Sequence, residues 1–163
     1  MSARSYERRG AWGFTLIEML VVLAMLGVLA AAARPVLLMS VQRSQEFQLR
    51  EALRQIRGAL DAYKRAAEAG QIQLTIEDSG YPRELADLVR GVADAKSPNG
   101  RKLYFLRRLP RDPFADPALE PAETWGLRAA DSPPDEPRPG RDVFDVRSLS
   151  ERRALDGSRY RDW

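Results

Sequence analysis

The chain has 163 residues, and its 26 lysine and arginine residues against 23 aspartate and glutamate residues give a formal net charge of +3. It contains no cysteine and no histidine, which excludes disulfides, thiolate nucleophiles, imidazole bases and the usual zinc sites. Residues 1–13 carry a net charge of +2, and the remaining 23 basic and 22 acidic residues nearly cancel. The basic excess is therefore typical of a membrane-topology signal rather than of a nucleic-acid surface.

A long apolar segment follows this basic stretch. Residues 14–33 are 20 residues with a single charge, that of Glu18. A helix rises ~1.5 Å per residue, so a segment of this length matches the hydrocarbon core of a bilayer, which is about 30 Å thick. Since arginines precede the segment, the positive-inside rule places the N-terminus in the cytoplasm. The sequence predicts a single-pass protein whose transmembrane helix covers residues 14–34.

The helical pattern continues beyond this span. Apolar residues spaced four and three apart are typical of an amphipathic helix, and here they are Leu49, Leu53, Ile56, Leu60, Tyr63 and Ala67. The pattern predicts one helix from Phe14 to about Glu68, ending near Gly70, with residues 35–69 outside the membrane. Pro35 lacks a backbone donor and is expected to break or loosen the helix at the membrane exit. The stripe favours packing on the chain's own head domain, and a heptad coiled coil is the alternative.

The head domain, residues 70–163, begins with short elements. The alternation of apolar residues in 71–77 permits a strand, although an irregular loop would show a similar pattern. Turn residues at 78–82 and 96–100 bracket a short predicted helix. The apolar face of that helix would consist of Leu85, Leu88, Val89 and Val92.

Two strands are predicted farther along the head domain, over residues 124–129 and 143–149, with Phe144 and Val146 pointing inward. Residues 132–140 between them contain four prolines and predict an exposed loop. Tyr160 and Trp163 are expected to dock against the sheet. The predicted fold class is α+β, with a long N-terminal helix packed on a small antiparallel sheet.

The N-terminal sequence also carries a family resemblance. The stretch GFTLIE at residues 13–18, after a short basic segment, resembles the leader junction of type IV prepilins and pseudopilins. The resemblance implies that 1–13 is a leader which prepilin peptidase removes by cutting after Gly13, and that the new N-terminal amine of Phe14 is methylated. Residues 104–113 and 144–149 resemble G-type major pseudopilins of type II secretion systems, which implies a type IV pilin-like fold.

Glu18 is the unusual residue of the apolar segment. An ionised side chain in hydrocarbon costs roughly 2.5–3.5 kcal/mol on insertion scales, so something must offset that cost. The resemblance implies an assembly role, in which Glu18 pairs with the N-terminal amine of a neighbouring subunit. The alternative is that Glu18 reaches the membrane surface or stays protonated.

The family resemblance also raises the question of a calcium site. G-type major pseudopilins often bind calcium in a loop that follows a Ser-Leu pair, and this chain has Ser148 and Leu149. Calcium takes 6–8 oxygen ligands, for which Glu151, Asp156 and Asp162 are the candidate carboxylates, together with Ser148 and backbone carbonyls. Five arginines lie close in sequence, at positions 147, 152, 153, 159 and 161. We expect ion pairs with these arginines to replace the metal, so that no cofactor is needed, with calcium as the alternative.

The resemblance implies a structural role rather than an enzymatic one. The protein would be a bacterial inner-membrane subunit with a periplasmic head, processed by prepilin peptidase and polymerised with other pseudopilins into a type II secretion pseudopilus that helps drive protein export. The inner-membrane assembly platform and the secretion ATPase would act on it indirectly. The alternative is a type IV pilin or minor pilin for adhesion or DNA uptake, although the nearly neutral mature chain argues against nucleic-acid binding. An enzyme would need paired carboxylates or a Ser-Lys pair, and no such motif stands out.

Overall fold

The structure is a computed structural model that describes residues 14–163, except for the side chains of residues 32, 33, 35 and 36. The chain divides into two compact units, Met1–Val41 and Gln42–Trp163. The elements, in chain order, are α1 (Leu16–Glu68), α2 (Asp87–Arg90), β1 (Val92–Ala93), β2 (Lys102–Leu103), β3 (Trp125–Arg128) and β4 (Asp145–Ser148). Two short 3₁₀ helices cover Pro121–Thr124 and Tyr160–Asp162.

Helix α1 ends at Glu68, as its sequence pattern predicts. In the first unit the apolar side chains of α1 that the structure describes are exposed, Leu16 and Leu23 among them. No helical stretch within the described residues is both long and apolar enough to be identified as a membrane span.

In the second unit, α1 forms one wall of the hydrophobic core. All six residues of the predicted apolar stripe are buried, and they pack with Leu85 and Leu88, with Trp125 of β3 and with Val146 of β4. Full burial of one large aliphatic side chain stabilises a fold by roughly 1.5–3 kcal/mol. The prediction that the stripe packs on the chain's own head is therefore confirmed, and so is the α+β class.

The sheet differs in detail from the prediction, because residues 14–163 form two separate antiparallel strand pairs instead of one sheet. Strand β3 pairs with β4, with Trp125 opposite Ser148 and Arg128 opposite Asp145, which confirms the two predicted strands. Strands β1 and β2 form the second pair, which the sequence pattern missed because each has only two residues.

The prediction of a strand over residues 71–77 is wrong. This segment is an irregular loop, which was the alternative. Ile72 is buried, whereas Leu74 and Ile76 are exposed. The carboxylate of Asp78 accepts hydrogen bonds from the backbone N–H and the hydroxyl of Thr75, both at 2.8 Å. This local bonding closes a tight turn, which takes the backbone out of the extended conformation.

The short predicted helix is also shorter in the structure, where only the single turn of α2 is helical. Gly91 follows it with φ at +74°, and a Cβ atom at this position would lie 2.7 Å from the ring of Tyr104. The left-handed backbone at Gly91 ends the helix, so that Val92 enters β1 instead of extending the helical face. The predicted loop at residues 132–140 is irregular and largely exposed, with buried Ser132 at its start.

Candidate functional site

The N-terminal end of α1 combines a capping residue with the carboxylate singled out in the sequence. Phe14 and Thr15 precede the helix, and Glu18 lies in its first turn. The backbone N–H of Glu18 donates to the Thr15 hydroxyl at 3.3 Å, which is the N-cap interaction that satisfies an otherwise free amide. The side chain of Glu18 is exposed, so its carboxylate is presented outward and is not consumed by the cap.

The other N-terminal candidates are less completely described. Phe14 is exposed, and Gly13 lies outside the described residues. Position 35 lies within α1, so Pro35 does not end the helix. The predicted local loosening at Pro35 stays a prediction.

At the other end of the sequence, Tyr160 fastens the C-terminal segment to α1. Tyr160 is completely buried (0% exposed), and its hydroxyl donates to the carboxylate of Glu46 at 2.9 Å. Gln42 donates to the same hydroxyl at 2.9 Å, and the backbone N–H of Leu155 donates to Glu46 at 2.8 Å. The Tyr160 ring stacks on Phe114 with centroids 4.0 Å apart. Burial, and secondly the hydrogen bond to Glu46, raise the pKa of Tyr160.

Arg57 makes a second connection between α1 and the rest of the unit. Its Nε donates to Asp145 at 2.7 Å, and its Nη2 donates to the carbonyl of Val146 at 3.0 Å and to Trp163 at 2.8 Å. One guanidinium thus joins the helix to β4 and to the C-terminal segment. Trp163 also packs edge-on against Tyr160. The prediction that both aromatic residues dock is confirmed, and the hydrogen bonds that they make go to α1 and to nearby residues of the C-terminal segment.

The calcium candidates are engaged elsewhere. The hydroxyl of Ser148 donates to Asp112 at 2.5 Å, and Asp112 is buried and also accepts from the backbone N–H of Phe114 at 2.8 Å. Leu149 has an exposed side chain. Asp112 therefore takes the hydroxyl that the calcium alternative would need, and the sequence pattern did not single it out.

The two tail carboxylates are likewise occupied by nearby groups. Asp156 accepts from the hydroxyl of Ser158 at 2.6 Å and faces Arg50 at 3.4 Å. These interactions lower its pKa, with the Ser158 hydroxyl as the largest cause. Asp162 lies 3.7 Å from Arg161. Across residues 14–163, no three acidic side chains come together in a way that could hold a metal ion.

Two polar residues of this region, Gln42 and Glu46, are not among the predicted site residues, although the sequence contains a signal for them. Gln42 and Glu46 extend the buried stripe of α1 toward the N-terminus with the same spacing as Leu49 and Leu53. Polar residues at the buried positions of an amphipathic helix require partners. Tyr160 and the backbone of Leu155 are those partners. The arrangement ties the C-terminal segment to α1.

Comparison with known proteins bears on the N-terminal segment first. The family described as "Prokaryotic N-terminal methylation motif" matches residues 13–33. This match covers the apolar segment with Glu18 and begins at Gly13.

Similarity to curated proteins extends over most of the chain. Type II secretion system core protein G of Pseudomonas aeruginosa is 31% identical over 115 residues, which cover 68% of this chain and 73% of that protein. The protein of the same name from Klebsiella pneumoniae is 33% identical, covering 63% of this chain and 68% of that protein. The one from Vibrio cholerae is 30% identical, covering 68% and 70%. No solved structure gives a significant match.

Proposed function

This chain belongs to the family of type II secretion system core protein G, and on that premise we propose how it works as a structural subunit of the secretion pseudopilus. Its role is structural, and it is not an enzyme. It is a membrane-anchored, pilin-like protein that is processed by prepilin peptidase and assembles with other pseudopilins. The observation that carries this function is the methylation motif at residues 13–33 on a chain of which 68% aligns with core protein G.

We place the processing site between Gly13 and Phe14. The basic residues 1–13 act as the leader, and Phe14 carries the methylated amine of the mature protein. Phe14 precedes the N-cap Thr15 and the first helical residue Leu16, so the new amine is not committed to the helix. Residues 14–34 form the membrane anchor, with the N-terminus cytoplasmic and residues 35–69 leading into the periplasmic head.

Glu18 is the assembly residue in this proposal. Cleavage turns the amide nitrogen of Phe14 into a cationic amine at the same end of α1 as the Glu18 carboxylate. Opposite charges attract more strongly in a low-dielectric setting than in water, and either charge alone is costly there. The exposed Glu18 carboxylate of one subunit therefore pairs with the Phe14 amine of a neighbour. That pairing favours lateral assembly over isolated subunits.

The partners beyond other pseudopilins follow from this role. The inner-membrane platform extracts subunits into the growing filament, and the secretion ATPase supplies the work indirectly. No calcium is needed, because Ser148, Asp156 and Asp162 have protein partners. A pilin for adhesion or DNA uptake is not favoured, since the similar proteins are secretion subunits.

Mass spectrometry of the protein recovered from membranes tests the processing step. We expect a mature chain that begins with a methylated Phe14, and a Gly13→Ala variant that retains residues 1–13. A mature chain with any other N-terminal residue would contradict the proposal. An intact chain in cells that process other prepilins would contradict it equally.

A further inference from the structure

A groove of about 900 Å³ lies along the exposed side of α1 in the second unit. Its apolar lining comes from Phe47 on α1 and from Val89, Leu109 and Pro121 on the facing segments. Phe47 is 67% exposed, which is unusual for a large aromatic side chain beside an apolar groove. An exposed apolar surface of this kind marks an interaction site more often than a free surface.

The rim of the groove carries uncommitted positive charge. Arg107 and Arg108 line it and are exposed, and neither has an ion pair or side-chain hydrogen bond within residues 14–163. The nearby acidic residues do not neutralise them. Glu51 is paired with Arg54 at 2.6 Å, and Glu120 is engaged in the cap of the 3₁₀ helix. The groove thus suits a segment with apolar side chains and a carboxylate.

The same unit has a loop of that composition, residues 74–77. Ile76 is fully exposed, Leu74 is 43% exposed, and Glu77 is exposed with no ion pair among the described residues. Asp78 holds the turn through Thr75 and pairs with Arg83 at 3.0 Å. Because the turn is fixed before binding, docking it costs little conformational entropy.

Within one chain the groove and the loop are separate surfaces, since residues 74–77 do not line the groove. The groove borders residues 47–55 of α1, whereas Ser79, next to the loop, accepts a hydrogen bond from Lys64 of α1 at 2.7 Å. At ~1.5 Å per residue, residues 55 and 64 lie about 14 Å apart along the helix. We propose that the 74–77 loop of one copy docks in this groove of the next copy, with Leu74 and Ile76 on the apolar lining and Glu77 against Arg107 and Arg108.

The contact joins two different surfaces, so it is heterologous, and a heterologous contact builds a helical filament when the rotation between copies does not close into a ring. It rests on the proposed function, because it describes how pseudopilus subunits meet outside the membrane. It adds a docking surface in the head to the charge pair of Glu18 in the membrane segment. The occupant is a second copy of this chain rather than an exported protein.

The absence of cysteine from the sequence allows a direct test with full-length chains. Two differently tagged copies, one with Ile76→Cys and one with Phe47→Cys, are expressed together and oxidised in the membrane. We expect a disulfide-linked dimer that carries both tags. Leu155→Cys, an exposed position that does not line the groove, replaces Phe47→Cys as the control and should reduce this dimer at least about tenfold.

Charge reversal then tests the electrostatic part. Glu77→Arg and the double variant Arg107→Glu, Arg108→Glu should each reduce filament yield several-fold, and their combination in one chain should restore it. Arg65→Glu, at an exposed arginine of α1 outside the groove, should leave yield unchanged. Full yield from both reversed variants, no rescue by the combination, or equal cross-linking at Leu155 would each overturn the contact. If the wild-type chain forms filaments in those cases, the proposed function stands; a wild-type chain that forms no filament overturns both.

Discussion

The hydroxyl of Tyr160 donates a hydrogen bond to the carboxylate of Glu46 across 114 positions of sequence. The same oxygen of Glu46 also accepts hydrogen bonds from the Gln42 side chain and from the backbone N–H of Leu155. Of these three donors, Tyr160 is the one whose ring is buried in the core. The pair therefore joins the polar start of the buried α1 stripe to the C-terminal segment. Its removal should loosen that segment before the rest of the unit.

Tyr160→Phe keeps the ring stacked on Phe114 and removes the hydroxyl. We expect the free energy of unfolding to fall by about 1–3 kcal/mol, because Glu46 and Gln42 each lose a buried hydrogen-bond partner. Urea unfolding of the detergent-solubilised chain, followed by tryptophan fluorescence, measures this. The exposed Tyr104 provides the control: Tyr104→Phe should change stability by less than about 0.5 kcal/mol. Equal effects of the two variants would contradict the role of Tyr160.

Glu18→Ala and Thr15→Ala separate assembly from helix capping. The cap uses the backbone N–H of Glu18, so Glu18→Ala leaves it intact while it removes the carboxylate. We expect Glu18→Ala to be cleaved and membrane-bound but to lose most filament assembly. Thr15→Ala should weaken the helix end by about 1 kcal/mol and keep assembly close to normal. Filament recovery from sheared cells and mass spectrometry of the N-terminus measure both steps. Normal filaments from Glu18→Ala would refute its assembly role.

Asp78 makes the stability of the head depend on acid pH. Hydrogen bonds from the backbone and then the hydroxyl of Thr75, followed by that from Arg83, lower the pKa of Asp78 from 3.8 to about 2. A lowered folded-state pKa stabilises the protein fully above the unfolded value of 3.8, and this contribution is lost as the pH falls toward about 2. Asp78→Asn should therefore flatten stability against pH in that window.

Unfolding by urea at a series of pH values between about 2 and 5 measures this slope. Asp61→Asn removes an exposed carboxylate of α1 that has no hydrogen-bond partner among the described residues, and it controls for the loss of one charge. If Asp78→Asn and Asp61→Asn show the same dependence of the unfolding free energy on pH, the turn at Thr75 does not stabilise the ionised form of Asp78.

Ser148→Ala tests the buried contact with Asp112. The hydroxyl donates to the Asp112 carboxylate at 2.5 Å, so its removal leaves a buried oxygen without this donor and should cost about 1–3 kcal/mol. Replacement of both residues by alanine should cost less than the sum of the single changes, because the two side chains act as a pair. Ser44→Ala on the exposed side of α1 is the control. Strict additivity would argue against the pair.

Calcium should leave the stability of this chain unchanged. A site with a Kd of about 10 μM would stabilise the folded state by about 2.7 kcal/mol at 1 mM calcium, which shifts the thermal midpoint by several degrees. We expect a shift below about 1 °C between calcium and chelator, because Ser148 and Asp156 already have protein partners. A calcium-dependent shift that disappears in Asp156→Asn would restore the metal site.

The sequence predicted those parts of the fold in which a pattern of apolar residues repeats over many residues. The stripe from Leu49 to Ala67 repeats over five turns of α1, so its burial and the helix end at Glu68 followed from spacing alone. Short elements were less predictable. Residues 71–77 alternate like a strand, but the turn between Thr75 and Asp78 outweighs that pattern.

The contacts that hold the C-terminal segment were harder to foresee. The docking of Tyr160 and Trp163 follows from their apolar rings, whereas the identity of their partners does not. Glu46 and Arg57 bond residues that lie 114 and 106 positions later in the sequence. A single sequence has no local signal for such pairs. Only the polar interruption of the α1 stripe at Gln42 and Glu46 pointed to a buried hydrogen-bond network.

The position of Tyr160 has a consequence for the order of biogenesis. It follows every other buried hydrophobic residue in the sequence, and it covers a surface formed by α1 and by Phe114. While the chain is still emerging, that surface is open to solvent and the second unit cannot close. Folding of the head therefore completes only after residue 160 has emerged, so a subunit is not ready for assembly before its whole chain has been made.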